Sequence, residues 1–362
     1  LEKDYEKADK LGKNYVGRKG NYGTDLPTGN LKFRMISEGK NEITDYERYL
    51  NIGDSLGGVR FCWGGSRFHR RLFVSNPDQL LVLTCVQEGA EKKRFDLELF
   101  YEKIGAPVKI SALEGKDVLL SGDAFETLHS DGETGVRLEG AIRILTDGKL
   151  SFDGEKVSVE KATGFTFLMD LRTDMEARVS GEKESPKSIR KRCLKVLDAA
   201  EKKGVDVLWK NHREDVRTLF DRVDFVLGDD RKRDLPTDER IRTQKAGEDD
   251  ADLMALFYRY GRYLLIASSR ENSPLPTHMG GIWNDNIYCN MDCTQDMHID
   301  MNIQMQYWLS AQCSLKEAYW SLFPWVKNTM MPNGRTTAAV TYGARGFAAH
   351  VVSNPWGFTA LG

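Results

Sequence analysis

Between residues 25 and about 173 the apolar residues come in short alternating runs broken by turn signals, among them the Asp-Gly pairs at 131-132, 147-148 and 153-154. Alternation of this kind predicts strands, and Asp-Gly between two such runs predicts tight hairpins. Residues 58–86 read as a hairpin turning over Gly64-Gly65, followed by a strand that carries Leu81, Leu83 and Cys85 on one parity. An antiparallel β-sandwich accommodates this pattern best. Near Glu182 the pattern changes to a charged run with helical spacing, SIRKRCLKVLDAAEKKG, closed by Gly204 as a C-cap, and a second helix runs to about Val223. These two helices read as a linker. Residues 228–247, dense in charge and holding Pro236, suit a surface excursion. Beyond them Leu253, Leu256, Phe257, Tyr260, Leu264 and Ala267 follow the spacing of an amphipathic helix, with Glu248, Asp249 and Asp250 near its positive end. Further helices are predicted around 307–328 and 343–350.

At roughly 100 to 200 residues per domain, 362 residues predict two domains, or three if one is small. With 40% hydrophobic and 29% charged residues the chain can bury a sizeable core, which excludes a disordered one. Lys and Arg total 52 against 54 for Asp and Glu, a net charge of -2 that supplies no broad positive field. Nucleic acid is therefore not an expected partner. The longest apolar stretches fall far short of the roughly 20 residues that cross a bilayer, so no membrane segment is expected. The chain opens with the polar LEKDYEKADK, with neither a start methionine nor the apolar core of a signal peptide, so its natural N-terminus is expected to be missing. Six cysteines leave the compartment open, and nothing bears on oligomeric state.

Residues 275–308, LPTHMGGIWNDNIYCNMDCTQDMHIDMNIQMQYW, crowd Trp, Asn, Asp, His, Met and Gln between two helical stretches. His298, Asp300, Asn302, Gln304 and Gln306 alternate with Ile299, Met301, Ile303, Met305 and Tyr307. An extended backbone would put the polar set on one face, successive side chains roughly 6 to 7 Å apart, a spacing that matches a sugar ring. A polar edge strand or loop whose amides satisfy one another would show the same alternation. Grouping His298 with Asp292, Asp296 and Cys293 gives poor metal-ligand spacing, and no metal is expected. No phosphate-cradling or dinucleotide motif is present, and no cofactor is expected. A polar cleft with carboxylates and amides then suits acid and base work on a neutral polar substrate, for which glycoside hydrolysis is the natural candidate.

Several stretches resemble glycoside hydrolase family 95, whose members are mainly α-L-fucosidases. The strongest are Tyr260-Gly-Arg-Tyr-Leu-Leu-Ile266, Ser269-Arg270, Leu275-Pro276, Gly281-Ile-Trp-Asn-Asp285, Asn302 with Tyr307-Trp308, and Tyr342-Gly-Ala-Arg-Gly346 followed by His350 and Trp356-Gly357. Weaker echoes are Thr28-Gly29-Asn30-Leu31, Tyr46-Glu-Arg-Tyr-Leu50, Ser75-Asn-Pro-Asp78, and His212 with Asp215. The resemblance implies an N-terminal β-sandwich, a helical linker and a toroid of six α-hairpins that carries the active site. On this reading residues 1–181 are an N-terminally incomplete sandwich, 182–246 the linker, and 247–362 the first part of an incomplete toroid. It further implies an exo-acting, inverting hydrolase that releases terminal α-L-fucose, α-1,2-linked, from a fucosylated oligosaccharide or glycan. An α-L-galactosidase or other exo-glycosidase of the same family, and a non-catalytic carbohydrate-binding fragment, are the alternatives.

The family's Asn-x-Asn pair falls on Asp300 and Asn302, so the first Asn is replaced, and these two are the implied catalytic residues. Asn302 would contact the attacking water. Asp300 would accept its proton, bind a sugar hydroxyl, or merely cap the following helix. His298 holds the position where fucose-cleaving members carry His and L-galactose-cleaving relatives tend to carry Thr. Trp283, Asn284, Arg345, His350 and Trp356 complete the implied substrate contacts. The family's Leu-Pro-Ala-Asn-Leu-Gln-Gly reads Leu275-Pro-Thr-His-Met-Gly-Gly281, a remodelled cleft wall. The acidic Glu and the water-activating Asp of the family would lie beyond Gly362, so the 362 residues alone are expected to be inactive.

Overall fold

The computed structural model describes residues 4–12, 26–36, 42–89, 91–102, 108–113, 115–125, 132, 134–153, 155–281 and 296–361. After a short helix α1 (Tyr5–Gly12) come β1 (Asn30–Ile36), β2 (Ile43–Asn51), β3 (Leu56–Trp63), β4 (Ser66–Ser75), β5 (Leu80–Gln87) and β6 (Phe95–Glu102). Then follow β7 (Lys109–Leu113), β8 (Asp117–Asp123), β9 (Arg137–Thr146), β10 (Lys149–Asp153), β11 (Lys156–Ala162) and β12 (Phe165–Thr173). They form a four-stranded sheet ordered β1-β6-β11-β10 and an eight-stranded sheet ordered β2-β3-β4-β5-β12-β9-β8-β7. Every pairing is antiparallel. The expected hairpin is present: Gly64 and Gly65 both have positive φ, 58° and 77°, the turn shape whose twist matches its strands, and Trp63 pairs with Ser66 across it.

The two sheets close on a core of Phe61, Phe68, Leu97, Leu120, Ile142 and Phe167. The alternation in β5 and β12 serves two cores at once. Leu83, Cys85, Phe165 and Phe167 point between the sheets, while Leu80, Val82 and Leu168 point outward. A short helix, α2 (Met175–Val179), leads to α3 (Pro186–Lys203) and α4 (Val205–Phe220), whose Cys193, Leu197, Ala200 and Leu208 cover that outer face. Ser185 caps α3 through the Ser188 amide, and Gly204, at φ 77°, separates the two helices. The pair expected as a linker thus also walls the large sheet. Charges that β9 turns toward α3 are matched. Arg143 bonds Asp117, Asp198 and Glu201 at 2.7–2.9 Å, and fully buried Glu139 meets Arg190 and Arg137. Burial pushes the Glu139 carboxyl up, but the bonds from Arg190, Arg137 and Ser121 outweigh it and hold the pKa below the ordinary value.

Residues 228–247 are more than a surface excursion. They contain α5 (Thr237–Lys245), whose Arg240 is buried against Asp250 and Asp252. Asp250 in turn caps α6 (Ala251–Ser268) through the Leu253 amide. The expected amphipathic helix is there, but its apolar stripe is only partly covered: Leu253 is buried and Leu256 and Leu264 half-buried, Phe257 is 73% exposed, and burial is completed by Ala255, Arg262, Leu265 and Ile266 outside the stripe. Arg262, wholly buried, donates to the carbonyls of Leu219, Phe220, Val223 and Cys313. It thereby satisfies carbonyls that the end of α4 leaves free. The helical stretch expected at 307–328 is α7 (Asn302–Gln312), a single 3-10 turn at Lys316–Ala318, and α8 (Tyr319–Trp325), continued through Val326–Met330 into α9 (Met331–Tyr342). A helix over 343–350 does not form, because Gly343 takes the left-handed conformation (φ 60°) that ends α9 and Gly346 follows at φ 95°.

Candidate functional site

The polar strip changes backbone state in its middle. Met297 exchanges both backbone hydrogen bonds with Ser353, and the Ile299 amide donates to the Val351 carbonyl, so 296–299 is extended beside 351–353. Met301 then takes φ 74°, and α7 begins at Asn302. The extended, one-face arrangement expected for 298–307 is therefore corrected: it holds only up to Ile299. From Asn302 the buried stripe is Ile303, Tyr307 and Ser310, a helical spacing that the same letters also satisfy. Asp300 and Asn302 lie on either side of the left-handed turn rather than on one strand face. Asp300 is exposed in that turn, and no side chain caps α7, which removes the capping role for it. Asn302, half-buried, is the first residue of the helix.

His298 is the best-defined polar group here. Its Nδ1 lies 2.9 Å from Oδ1 of Asp296, whose side chain is 2% exposed against 19% for the imidazole. The local extension explains the pairing, since residues two apart share a side while Met297 between them turns into the core. The loop before the strip is pinned to it at several points. The Met279 amide donates to the Asp296 carbonyl, and the Gln306 amide nitrogen bonds the carbonyls of His278 and Met279. The Thr277 amide reaches the Tyr307 hydroxyl, which meets Ser269 and Ser321 in a buried hydroxyl cluster.

Of the other expected contacts, Arg345 is exposed and Trp356 is 39% exposed. His350 has both ring nitrogens engaged, 2.6 Å from the Tyr342 hydroxyl and 2.7 Å from the Thr359 carbonyl. A carbonyl only accepts, so Nδ1 carries the proton and Nε2 takes the Tyr342 hydrogen. In this arrangement His350 ties 342–359 together and offers no free nitrogen to a sugar. Trp283 and Asn284 lie outside the described residues, as do Asp292 and Cys293 of the metal grouping. His298, Asp300 and Asn302 are thus near one another in sequence, before, within and after the turn that starts α7, and the 351–353 backbone lies alongside 296–299, with His350 and Trp356 flanking it in sequence. Sequence reading missed the Tyr307–Ser269–Ser321 cluster, for which no spacing signal exists. It named Asp296 in a metal grouping and as a reserve candidate for the acid, never as a partner of His298, although its i, i+2 relation to His298 was the available signal. A cavity of about 10 Å³ beside Leu219, Leu265, Ile266 and Ser269 admits one water and no sugar.

The helix α4 ties this region to the sandwich. Buried His212 donates Nε2–H to the Asp54 carbonyl at 2.8 Å, and burial lowers its pKa, keeping it neutral. Arg213 and Arg217 hold the Asp54 carboxylate, and Asp215 pairs with Arg270 at 2.6 Å at the head of the 269–281 loop.

Residues 204–362 match the glycosyl hydrolase family 95 catalytic domain, and residues 1–178 match the N-terminal domain described for glycosyl hydrolase family 65. The chain is 29% identical to "Alpha-L-fucosidase 2" of Arabidopsis thaliana, over 91% of this chain and 41% of that protein. It is 26% identical to "Probable alpha-fucosidase A" of Aspergillus niger, over 94% of this chain and 42% of that one. It therefore spans less than half the length of these curated relatives. Among solved structures, "Putative kojibiose phosphorylase from human microbiome" superposes with a TM-score of 0.60 at 13% identity, covering 91% of this chain and 42% of that one, a likeness of fold. The sandwich followed by helices, and a catalytic-domain match that starts where α4 starts, make the chain similar to the catalytic domain of glycoside hydrolase family 95 over residues 204–362.

Proposed function

We propose that this chain forms the sandwich and the first part of the catalytic toroid of an exo-acting, inverting α-L-fucosidase, with 1–181, 182–246 and 247–362 as its successive parts. The observation that carries the reading is the position of the polar strip: His298, Asp300 and Asn302 fall in sequence at the approach to α7 and its first residue, inside the stretch that matches the family 95 catalytic domain. The curated relatives named as fucosidases support the sugar assignment. In an inverting mechanism a carboxylic acid protonates the leaving oxygen while a base-activated water attacks from the opposite face of the ring. Asn302, at the head of α7, takes the water side, its amide oxygen accepting a hydrogen bond from the water. Asp300, exposed beside it, either draws off the proton or binds a sugar hydroxyl, and the imidazole of His298 faces the fucose ring.

The test is hydrolysis by the intact protein that carries this chain, offered nitrophenyl α-L-fucoside, nitrophenyl α-L-galactoside and an α-1,2-fucosylated galactoside, with the released anomer followed by NMR. Release of β-L-fucose as the first product is the expected result. Preference for the L-galactoside, first release of the α-anomer, or binding without turnover would each overturn a stated part of the reading.

A further inference from the structure

The imidazole of His298 is held from one side. Asp296 Oδ1 lies 2.9 Å from Nδ1, and Nε2 meets no partner among the described residues. An ionised carboxylate only accepts hydrogen bonds, so the bond places the proton of the neutral ring on Nδ1 and leaves a lone pair on Nε2. Asp296 is itself immobilised: its side chain is 2% exposed, its carbonyl accepts from Met279, and Met297 beside it is paired on both backbone atoms with Ser353. The backbone ladder fixes where both side chains start, and burial of the carboxylate with its bond to Nδ1 holds their orientation. We propose that Asp296 is a positioning residue that fixes the tautomer of His298 and presents Nε2 outward as a hydrogen-bond acceptor for a sugar hydroxyl.

The second half of that statement rests on the proposed sugar-contacting role of His298; the first half does not. An acceptor at Nε2 selects for a hydroxyl that donates, and against a ring position that offers no O–H. The opposite tautomer, with Nε2–H, would present a donor in the same place, to which a hydroxyl oxygen accepts, so the tautomer decides the direction of the bond and with it what the hydroxyl's own proton is left free to do. Asp296 would thereby orient the sugar hydroxyl without touching the substrate.

Long-range nitrogen–proton NMR of the chain, with His298 assigned by its substitution, reads the tautomer directly and needs no activity. The wild type is expected to show Nδ1–H, and Asp296→Ala to shift His298 toward Nε2–H with an unchanged melting profile. A wild type with Nε2–H, or a tautomer indifferent to Asp296→Ala, overturns the proposal; should the variant not fold, the wild-type spectrum alone decides. Titrating L-fucose into the intact protein that carries this chain separates the two readings, because a locked tautomer whose Nε2 never responds to the sugar there counts against the site, not against the Asp296 lock. In the intact enzyme, Asp296→Ala should lower kcat/KM about 10-fold, and should add nothing in a His298→Ala background, the non-additivity of two groups acting as one. Full additivity there would reduce Asp296 to a general stabiliser.

Discussion

The eight-stranded sheet and the helices after it solve burial in opposite ways. In the sandwich both faces of β5 and β12 are covered, one by the smaller sheet and one by α3 and α4, and the charges turned toward α3 are matched by counter-charges. In the helical region Phe257, Trp308, Trp320 and Val340 are between 51% and 80% exposed, and while buried Arg240 meets the carboxylates of Asp250 and Asp252, wholly buried Arg262 bonds through its terminal nitrogens to carbonyls. Periodicity announces that a helix has an apolar stripe. It does not say which neighbour, if any, will cover that stripe, whereas a strand's alternation is tied to a sheet whose two sides are fixed by its pairing.

The contrast can be broken where each region is most committed. Arg143→Met in the sandwich should lose about 3 to 5 kcal/mol in denaturant unfolding, because Asp117 is left buried without its counter-charge. Adding Asp117→Leu should recover much of that loss, and failure to do so would show that Arg143 acts through packing. Arg262→Met should cost about 3 kcal/mol, since four carbonyls lose a charged donor. A loss confined to the helical region, read by hydrogen exchange, would separate it from α4. At the candidate site the effect should appear in turnover instead: Asn302→Ala in the intact enzyme should cut kcat by roughly 10²-fold with KM within a few-fold. Asp300→Asn should retain most activity if Asp300 binds sugar and fall as far as Asn302→Ala if it is the base; wild-type kcat in both variants would unseat the site.

A smaller effect is expected at the α5–α6 junction on acidification. The Arg240 guanidinium holds Asp250 well below its ordinary value of 3.8, at about 2, assisted by the Leu253 amide. A carboxyl depressed in the fold contributes stability that is complete above its unfolded value and fades as pH falls from about 4 toward 2. Asp250→Asn should flatten the acid limb of a melting-temperature profile over that window, and an unchanged limb would exclude this pair from acid unfolding. Smallest of all, Phe257→Ser should change stability by no more than about 0.5 kcal/mol, as its ring meets solvent.

The sandwich was legible because its signals are local. Gly64-Gly65 fixes a turn by its own backbone freedom, and the parity of Leu83 and Cys85 is read within one strand. The covering of Leu80, Val82 and Leu168 by Leu197 and Leu208 joins residues far apart in sequence, and nothing in the linear pattern announces it. The strip 298–307 was misread for a different reason. Ile303 and Tyr307 satisfy period two and helical spacing alike, and the choice was made by Met301, whose positive φ no residue-type signal foretells. The identity of His298 and its neighbours was legible through family resemblance, while the pairing of His298 with Asp296 had to wait for coordinates.

The wall that α3 and α4 build has a consequence for synthesis. A ribosome delivers the twelve strands before it delivers residue 186, so the outer face of the large sheet, with Leu56, Phe73, Leu80, Val82 and Leu168, emerges naked and must wait for the next few dozen residues. During that interval the nascent sheet presents a broad apolar surface with unpaired edges, the condition under which chains associate wrongly or recruit chaperones. A recombinant cut at residue 178, where the N-terminal domain match ends, would make that interval permanent. A piece that keeps that face covered must therefore carry α3 and the first half of α4 as well as the strands.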